Sequence, residues 1–337
     1  MYINCLIVNL DKNKKIYQQV IHLSDKKSML NQIFSSSRPI GYILIAVGLF
    51  IAYCVNLFSD VSWMVDSYEI VKKIGLFFCI VLSVLLVQFI SVKNGLNSNN
   101  LYLLFFYSCF LLLFSTYFDH GRVIVSNLFI LLGLRRLLSM HSMRVLNQKI
   151  FDASLFILAA SLFNTWSILF LILVYYSIIV YTSQDFRSWI IPLVAIVIVA
   201  ILFYTYGLLT NLDFITYFQE RFIWSFNFQY FENNFQRIAL SIFAALSCLF
   251  IMGQAILYKR APMHQHTLYK TILLCFIIGA LVYIFEFPKY NASLVFTFFP
   301  LSIAAGNLVM NVEQKWVKEL IMFGVLIIST IIFMMQL

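Results

Sequence analysis

About eleven long apolar blocks, separated by short polar gaps, occupy most of this chain of 337 residues. A helix rises about 1.5 Å per residue and the hydrocarbon core of a bilayer is about 30 Å thick, so roughly 17 to 25 apolar residues are enough to cross it. The composition agrees, because 62% of the residues are hydrophobic and only 11% are charged. That leaves too little polar surface to cover a soluble globule. We therefore predict an all-α protein, a polytopic transmembrane helical bundle of about eleven spans.

One apolar stretch, from Ile150 to Thr182, is too long for a single straight span. It is interrupted only at Asn164, Thr165 and Trp166. Polar turn residues beside a tryptophan suit a membrane interface, so we predict a tight helical hairpin here. The other predicted spans are Ile40–Phe58, Ile74–Val92, Leu101–Phe118, Val123–Met140, Trp189–Leu209, Ile238–Tyr258, Leu268–Phe287, Ala292–Met310 and Leu320–Leu337.

The basic residues orient the predicted bundle. When the gaps are taken alternately, 17 of the 23 Lys and Arg residues fall on the side of the N-terminus. Because Lys and Arg concentrate in cytoplasmic loops, the N-terminus is predicted to be cytoplasmic and the C-terminus external, in a multi-pass inner-membrane protein. Treating Ile150 to Thr182 as one span would place Lys259, Arg260 and Lys270 outside, so the charge pattern supports the hairpin.

Two polar segments complete the predicted organisation. Residues 1–38 are expected to form a cytoplasmic N-terminal arm, and residues 39–337 a single transmembrane domain. The external segment 210–237 contains the run YFQERFIWSFNFQYFENNF, which is dense in aromatic rings and sparse in charge. This pattern favours a helix in the headgroup plane, acting either as a packing element or as a lid over an external cavity.

Several functional classes are disfavoured. The sequence has no CxxC pair, and only two of its histidines, His264 and His266, lie close together, so no metal site is expected. Walker, GxSxG and HExxH motifs are absent, which argues against an ATPase, a hydrolase or a zinc protease, and no cofactor is expected. Basic residues sit at block ends and not on one face, so nucleic acid is not an expected partner.

Few charges interrupt the spans themselves. Asp152 lies just inside an apolar run, where we predict that it stabilises the first turn of a helix. No chain of carboxylates runs through the spans, which disfavours a proton-coupled pump or an ion channel.

The candidate site residues come from the predicted external gaps, which hold eight of the 14 acidic residues. Asp60 and Asp66, in the first external loop, are candidates for a general base that deprotonates an acceptor hydroxyl. Four basic residues are candidates for binding a departing phosphate: Arg122, Arg221, Arg237 and Lys289. The alternative is that these side chains are ordinary solvated loop residues.

Two runs, MLNQIFSSSRPIGYILIAVGLF from Met29 and the later GLRRLLSMHSMRVLNQKIFDASLFILAASLFNTWSILFLILVYYSIIVY, resemble an uncharacterised Bacteroidota family of multi-pass inner-membrane proteins. The resemblance covers Met29 to the C-terminus and implies no activity. In layout the chain is more distantly similar to the GT-C glycosyltransferases, which use lipid-phosphate sugar donors at the external face. That resemblance implies that Asp60 or Asp66 is the loop acid, although this loop is short and lacks a DxD or ExD pair.

We therefore expect an integral inner-membrane protein of envelope biogenesis, with GT-C-like transfer of a sugar from a polyprenyl-phosphate donor at the external face. Its expected partners are membrane lipid, including a polyprenyl-phosphate lipid, and a membrane protein. A non-catalytic subunit or scaffold of an envelope complex is the alternative, and a facilitator of lipid or small-solute movement is the third.

Overall fold

A computed structural model describes residues 29–59, 66–96, 100–182, 185–211, 213–221, 234–260, 263–287 and 289–337. Every regular element in these ranges is helical. The α-helices are α1 (Met29–Phe34), α2 (Pro39–Ser59), α3 (Ser67–Lys93), α4 (Tyr102–Leu113), α5 (Thr116–Asp119), α6 (Gly121–Leu138), α7 (Leu146–Phe163), α8 (Leu171–Tyr181), α9 (Phe186–Thr210), α10 (Phe214–Arg221), α11 (Asn234–Arg260), α12 (Met263–Phe285), α13 (Val295–Asn311) and α14 (Lys315–Gln336). Short 3-10 helices cover Ser139–Ser142, Thr165–Phe170 and Asn291–Leu294.

Nine helical stretches in the described ranges are long and apolar enough to cross a membrane. The prediction of an all-α, multi-pass membrane protein is therefore confirmed. The remaining two apolar blocks form shorter helices, Tyr102–Leu113 and Thr165–Tyr181. The count of eleven spans and the cytoplasmic N-terminus stay predictions.

The two helices at the centre of the bundle are buried on all sides. Eleven of the 12 residues of α4 are buried, as are 14 of the 17 residues of α13. Gly306 lets them approach closely, since a Cβ there would lie 3.2 Å from the backbone nitrogen of Leu103. Toward the other end of the pair, the rings of Phe114 and Phe298 stack 5.9 Å apart. A helix that is apolar all round and enclosed by other helices is the expected core of such a bundle.

The outer helices instead expose their apolar side chains. Only four of the 25 residues of α9 are buried, and Leu193, Val197 and Leu202 are more than half exposed. Because lipid tails are as apolar as these side chains, such exposure is stable in a bilayer.

The chain turns at Asn164, as the predicted hairpin requires. Asn164 adopts an extended conformation between α7 and the 3-10 helix Thr165–Phe170. Across the turn, the hydroxyl of Ser126 on α6 donates to the carbonyl of Ala160 at 3.1 Å and lies 3.0 Å from the hydroxyl of Ser167. Such bonds join helices through groups that lipid cannot solvate.

Asp152 does not stabilise a helix start, so that prediction was wrong. Helix α7 begins at Leu146, which places Asp152 in its second turn. There Asp152 Oδ2 pairs with Arg136 at 3.1 Å and links α7 to α6. The sequence could not show this because the partner lies on another helix.

The third apolar block is not one continuous helix. Helix α4 ends at Leu113, Phe114 adopts an extended conformation, and the short helix α5 follows. The side chain of Gln336, near the C-terminus, fills the break. It donates to the carbonyl of Leu113 at 3.1 Å and accepts from the backbone nitrogen of Ser115 at 3.1 Å. Broken helices are tolerated inside membrane proteins when another group satisfies the freed backbone.

Gln336→Leu is expected to destabilise the protein, because it removes both bonds to the broken backbone. Each buried polar group left without a partner costs about 1 to 3 kcal/mol. The measurement is thermal unfolding of the purified protein in detergent micelles. Met334→Leu, at an exposed position two residues earlier, is the matched control and should melt like the wild type. Equal melting temperatures for all three proteins would show that the bonds of Gln336 carry no stability.

Candidate functional site

A cavity of about 800 Å³ opens at the end of the bundle where the predicted external gaps meet. We call it the end cavity. Its wall is built from α3, the α5–α6 junction, the turn after α7, α10 and the segment after α12. The residues that line it are Tyr68, Glu69, Lys72, Lys73, Leu76, Asp119, His120, Gly121, Arg122, Val123, Val125, Phe163, Asn164, Thr165, Trp166, Arg221, Glu286, Phe287 and Tyr290. Charged side chains of both signs therefore converge from four parts of the sequence, and the turn after α7 adds the polar Asn164 and Thr165.

Two acids of the end cavity already have partners. Both oxygens of Glu69 accept from Lys72, at 2.8 and 3.0 Å. Asp119, placed by the short helix α5, accepts from Asn56 of α2 at 2.8 Å. These carboxylates are held in position by groups of the protein itself.

Glu286 is the third acid, and its surroundings differ. Helix α12 ends at Phe285, whose ring stacks on Trp166 at 5.2 Å, and Glu286 is the next residue. Asn164 donates to Glu286 Oε1 at 2.9 Å, which joins the hairpin turn to the end of α12. The other oxygen, Oε2, is buried and has no hydrogen-bond partner in the described structure.

Burial raises the pKa of Glu286 from its ordinary value of 4.5 to about 7. The neighbouring Ser293 hydroxyl, the Asn164 amide and the charge of Lys289 act in the opposite direction but do not cancel the effect of burial. Ser293 is near enough to act on the charge, yet its hydroxyl makes no hydrogen bond in the described structure. A carboxyl group that titrates near neutrality is typical of groups that exchange protons in functional sites.

Arg221 is brought to the end cavity by α10. One guanidinium nitrogen donates to the carbonyl of Leu162 at 3.0 Å, and the guanidinium lies 4.1 Å from the ring centre of Tyr217. Helix α10 packs on the end of α9, where the ring of Phe214 lies directly over Gly207. A side chain at position 207 would displace that ring, so the glycine permits the docking.

Arg122 and Lys73 complete the basic wall. Arg122 occupies the first turn of α6 and is exposed, and Lys73 lies on the neighbouring helix α3. Neither side chain has a carboxylate within ion-pair distance among the described residues. Their charges are thus available to an anionic ligand.

The six predicted site residues are only partly brought together. Arg122 and Arg221 lie on the cavity wall, whereas Arg237 is exposed on α11 away from that wall. Lys289 is buried and donates to the carbonyl of Ile284 at 2.5 Å. Asp66 is exposed and caps α3 through the backbone nitrogen of Tyr68 at 3.1 Å. Asp60 lies outside the described residues, and the predicted roles of the six stay predictions.

Sequence reasoning did not select Glu286 or Asn164 as site residues. The sequence predicts Glu286 only as one of several external acids and Asn164 only as a turn residue. The available signal is a carboxylate at the end of an apolar run, in FEFPK, but nothing in the sequence brings it near position 164. Within the described ranges, no group of three or more His, Cys, Asp or Glu side chains is placed to hold a metal ion.

Membrane-length helices enclosing an apolar core, with a charged cavity at one end, define a multi-pass integral membrane protein. The chain belongs to DUF6427, a family of unknown function, whose model matches residues 29–337. The match spans the same residues, Met29 to the C-terminus, as the resemblance to an uncharacterised family. No curated protein and no solved structure matches the chain significantly.

Glu286 should make the stability of the protein depend on pH. Its pKa is higher in the folded chain than its ordinary value, so the folded state holds the proton more tightly. Stability is therefore expected to fall as the pH rises from about 5 through about 7, by up to about 3 kcal/mol. Thermal unfolding in detergent at about pH 5 and about pH 8 measures this loss, which Glu286→Gln should remove.

Glu69→Gln is the matched control for that measurement, because Glu69 lines the same wall but is paired with Lys72. If the melting temperatures of the wild type and of Glu286→Gln change in parallel with pH, Glu286 is not the group that makes stability depend on pH.

Proposed function

We propose that the end cavity binds the phosphate group of a membrane lipid. The observation that carries the proposal is the convergence of Lys73, Arg122 and Arg221 from three separate helices onto one cavity at the end of the spans. Arginine forms charge-assisted, frequently bidentate hydrogen bonds with phosphate. A lipid phosphate lies at this depth of a bilayer, just beyond the hydrocarbon core.

The charge balance of the cavity supports an anionic ligand. Glu69 is neutralised by Lys72, and Asp119 is hydrogen-bonded to Asn56. Burial favours the neutral form of Glu286. The cations consequently outweigh the acids, and a partly enclosed cavity concentrates their field.

At a finer level, we propose that the bound lipid is a polyprenyl-phosphate carrying a sugar, and that the protein transfers this sugar during envelope biogenesis at the external face of the inner membrane. In this proposal, Arg122 and Arg221 stabilise the departing phosphate. Asp60 and Asp66 remain the proposed bases for the acceptor hydroxyl.

Binding is tested with farnesyl phosphate as the probe, added to the purified protein in detergent and followed by native mass spectrometry and thermal shift. Arg122→Gln and Arg221→Gln should each weaken binding by roughly tenfold, because each removes a charge-assisted contact. Added salt should also weaken it. Arg187→Gln, an exposed basic residue on α9 that does not line the cavity, is the matched control and should bind like the wild type.

Two further ligands identify what the cavity recognises. Farnesol, which lacks the phosphate, should bind weakly, and inorganic phosphate, which lacks the lipid tail, should also bind weakly. Inorganic phosphate that binds as tightly as farnesyl phosphate would assign a free anion and not a lipid. Equal binding of farnesol and farnesyl phosphate would overturn the proposal.

Transfer itself is tested separately. In a deletion strain, the wild-type gene should restore the normal envelope, whereas genes encoding Asp60→Asn or Asp66→Asn should not. Immunoblots should show that both variants are as abundant in the membrane as the wild type. A full phenotype in both variants would remove these acids from the mechanism and favour the non-catalytic alternative.

That alternative, a scaffold or subunit of an envelope complex, has one structural observation in its favour. Most residues of α9 are not buried within the chain, as expected of a helix that contacts another membrane protein. Purification in mild detergent, with mass spectrometry of the co-purified proteins and lipids, separates the two candidates. A stoichiometric protein partner supports the scaffold, whereas a phosphate-containing lipid without one supports the binding site.

A further inference from the structure

Glu286 differs from the other acids of the end cavity in having a buried oxygen without a hydrogen-bond partner in the described structure. Its Oε1 accepts one hydrogen bond from Asn164, and its Oε2 is buried without one. An ionised carboxylate in such a position would leave a negative oxygen both desolvated and unpaired, which is costly. The neutral carboxyl avoids most of this cost.

The same side chain lines the cavity into which Arg122 and Arg221 extend. An anion held by these arginines shares the cavity with Glu286. A second negative charge in a partly enclosed site disfavours the ionised carboxylate, because like charges repel strongly where water is scarce. Ligand binding and ionisation of Glu286 therefore oppose each other.

We propose that the end cavity binds its phosphate ligand only when Glu286 carries a proton, so that one anion and one proton occupy the site together. This inference rests on the proposed phosphate site and specifies its ligand as an anion that is bound together with a proton. Protonated Glu286 contributes no charge, and the arginines then act on the ligand unopposed.

The groups around Glu286 come from every wall of the cavity. On its own segment they are Tyr283, Lys289 and Tyr290, with the hydroxyl of Ser293 on the following 3-10 helix and Asn164 opposite. The charged or titratable groups of the other walls are Tyr68, Glu69, Lys72 and Lys73 of α3, Asp119, His120 and Arg122 of the α5–α6 junction, and Arg221 of α10. Because His120 also lines the cavity, the test compares variants of Glu286 and does not rest on the pH dependence of the wild type alone.

The affinity for farnesyl phosphate is measured at about pH 6 and about pH 8 for the wild type and for Glu286→Gln. The glutamine keeps the shape and the oxygen that accepts from Asn164, but it cannot ionise. With a Glu286 pKa of about 7, the wild type should bind about tenfold more weakly at the higher pH, in proportion to the protonated fraction. Glu286→Gln should lose most of this dependence and bind at about pH 8 as the wild type does at about pH 6.

Farnesyl phosphate has its own ionisation near pH 6, but it is the same for both proteins. The difference between the two curves therefore reports Glu286. Glu69→Gln is the matched control: it removes an acid from the same wall, one that is paired with Lys72, and should keep the wild-type slope.

Asn164→Ala provides a further test, because a purely structural role of Asn164 would not change the midpoint of the pH dependence. Its hydrogen bond lowers the pKa of Glu286, so its loss should move the midpoint of the pH dependence to higher pH. A midpoint that stays in place or moves to lower pH would contradict the coupling.

The failures of the two proposals can be told apart. Parallel pH curves for wild type and Glu286→Gln, with normal binding of farnesyl phosphate, would overturn the proton coupling and leave the phosphate site standing. Absence of binding in every protein at every pH would overturn the phosphate site, and the coupling with it.

Discussion

The inability of lipid to hydrogen-bond to the backbone is the constraint on which this structure depends. It requires helices wherever the chain crosses the hydrocarbon core, and it allows a helix to stop only where another group satisfies the freed backbone. The break after Leu113 meets this condition through Gln336, 221 residues away from Ser115. At the second break, the amide of Ser167 donates to the carbonyl of Asn164 at 3.0 Å and closes the hairpin turn.

These interruptions also create the candidate site. Asp119 and His120 follow the first break, and Asn164 lies at the second. Polar side chains that a continuous helix would carry into lipid are instead gathered around one cavity at the end of the bundle. The buried centre, α4 against α13, fixes how these ends stand relative to one another, because close packing at Gly306 leaves little room for sliding.

The electrostatics of the end cavity follow from the different surroundings of its three acids. Both oxygens of Glu69 accept from Lys72 and Asp119 is exposed, whereas Glu286 accepts at one oxygen and its other oxygen is buried without a partner in the described structure. Lys73, Arg122 and Glu286 line the same cavity, and neither Lys73 nor Arg122 has a carboxylate partner among the described residues. The proposed anion site thus depends on contacts between distant parts of the chain, Asn56 with Asp119 and Asn164 with Glu286.

Much of the architecture was predictable because it follows from local composition. The helical class, the nine membrane-length helices and the turn at Asn164 depend on how many apolar residues follow one another and where polar residues interrupt them. The pairing of Asp152 was not predictable, since its partner Arg136 lies across a helix interface. For the same reason, Arg122 and Arg221 converge on the cavity while Arg237, an equally plausible external arginine, does not.

By itself, then, the sequence determined that this chain is a multi-pass helical membrane protein, because the length of an apolar run and the cost of charge in lipid act on each segment separately. Only the tertiary structure decided which polar residues share a cavity. Glu286 and Asn164 are separated by 122 positions and meet because two helix ends pack side by side. The packing of distant helices, and not the composition of either segment, sets the partners of that carboxyl and with them its charge.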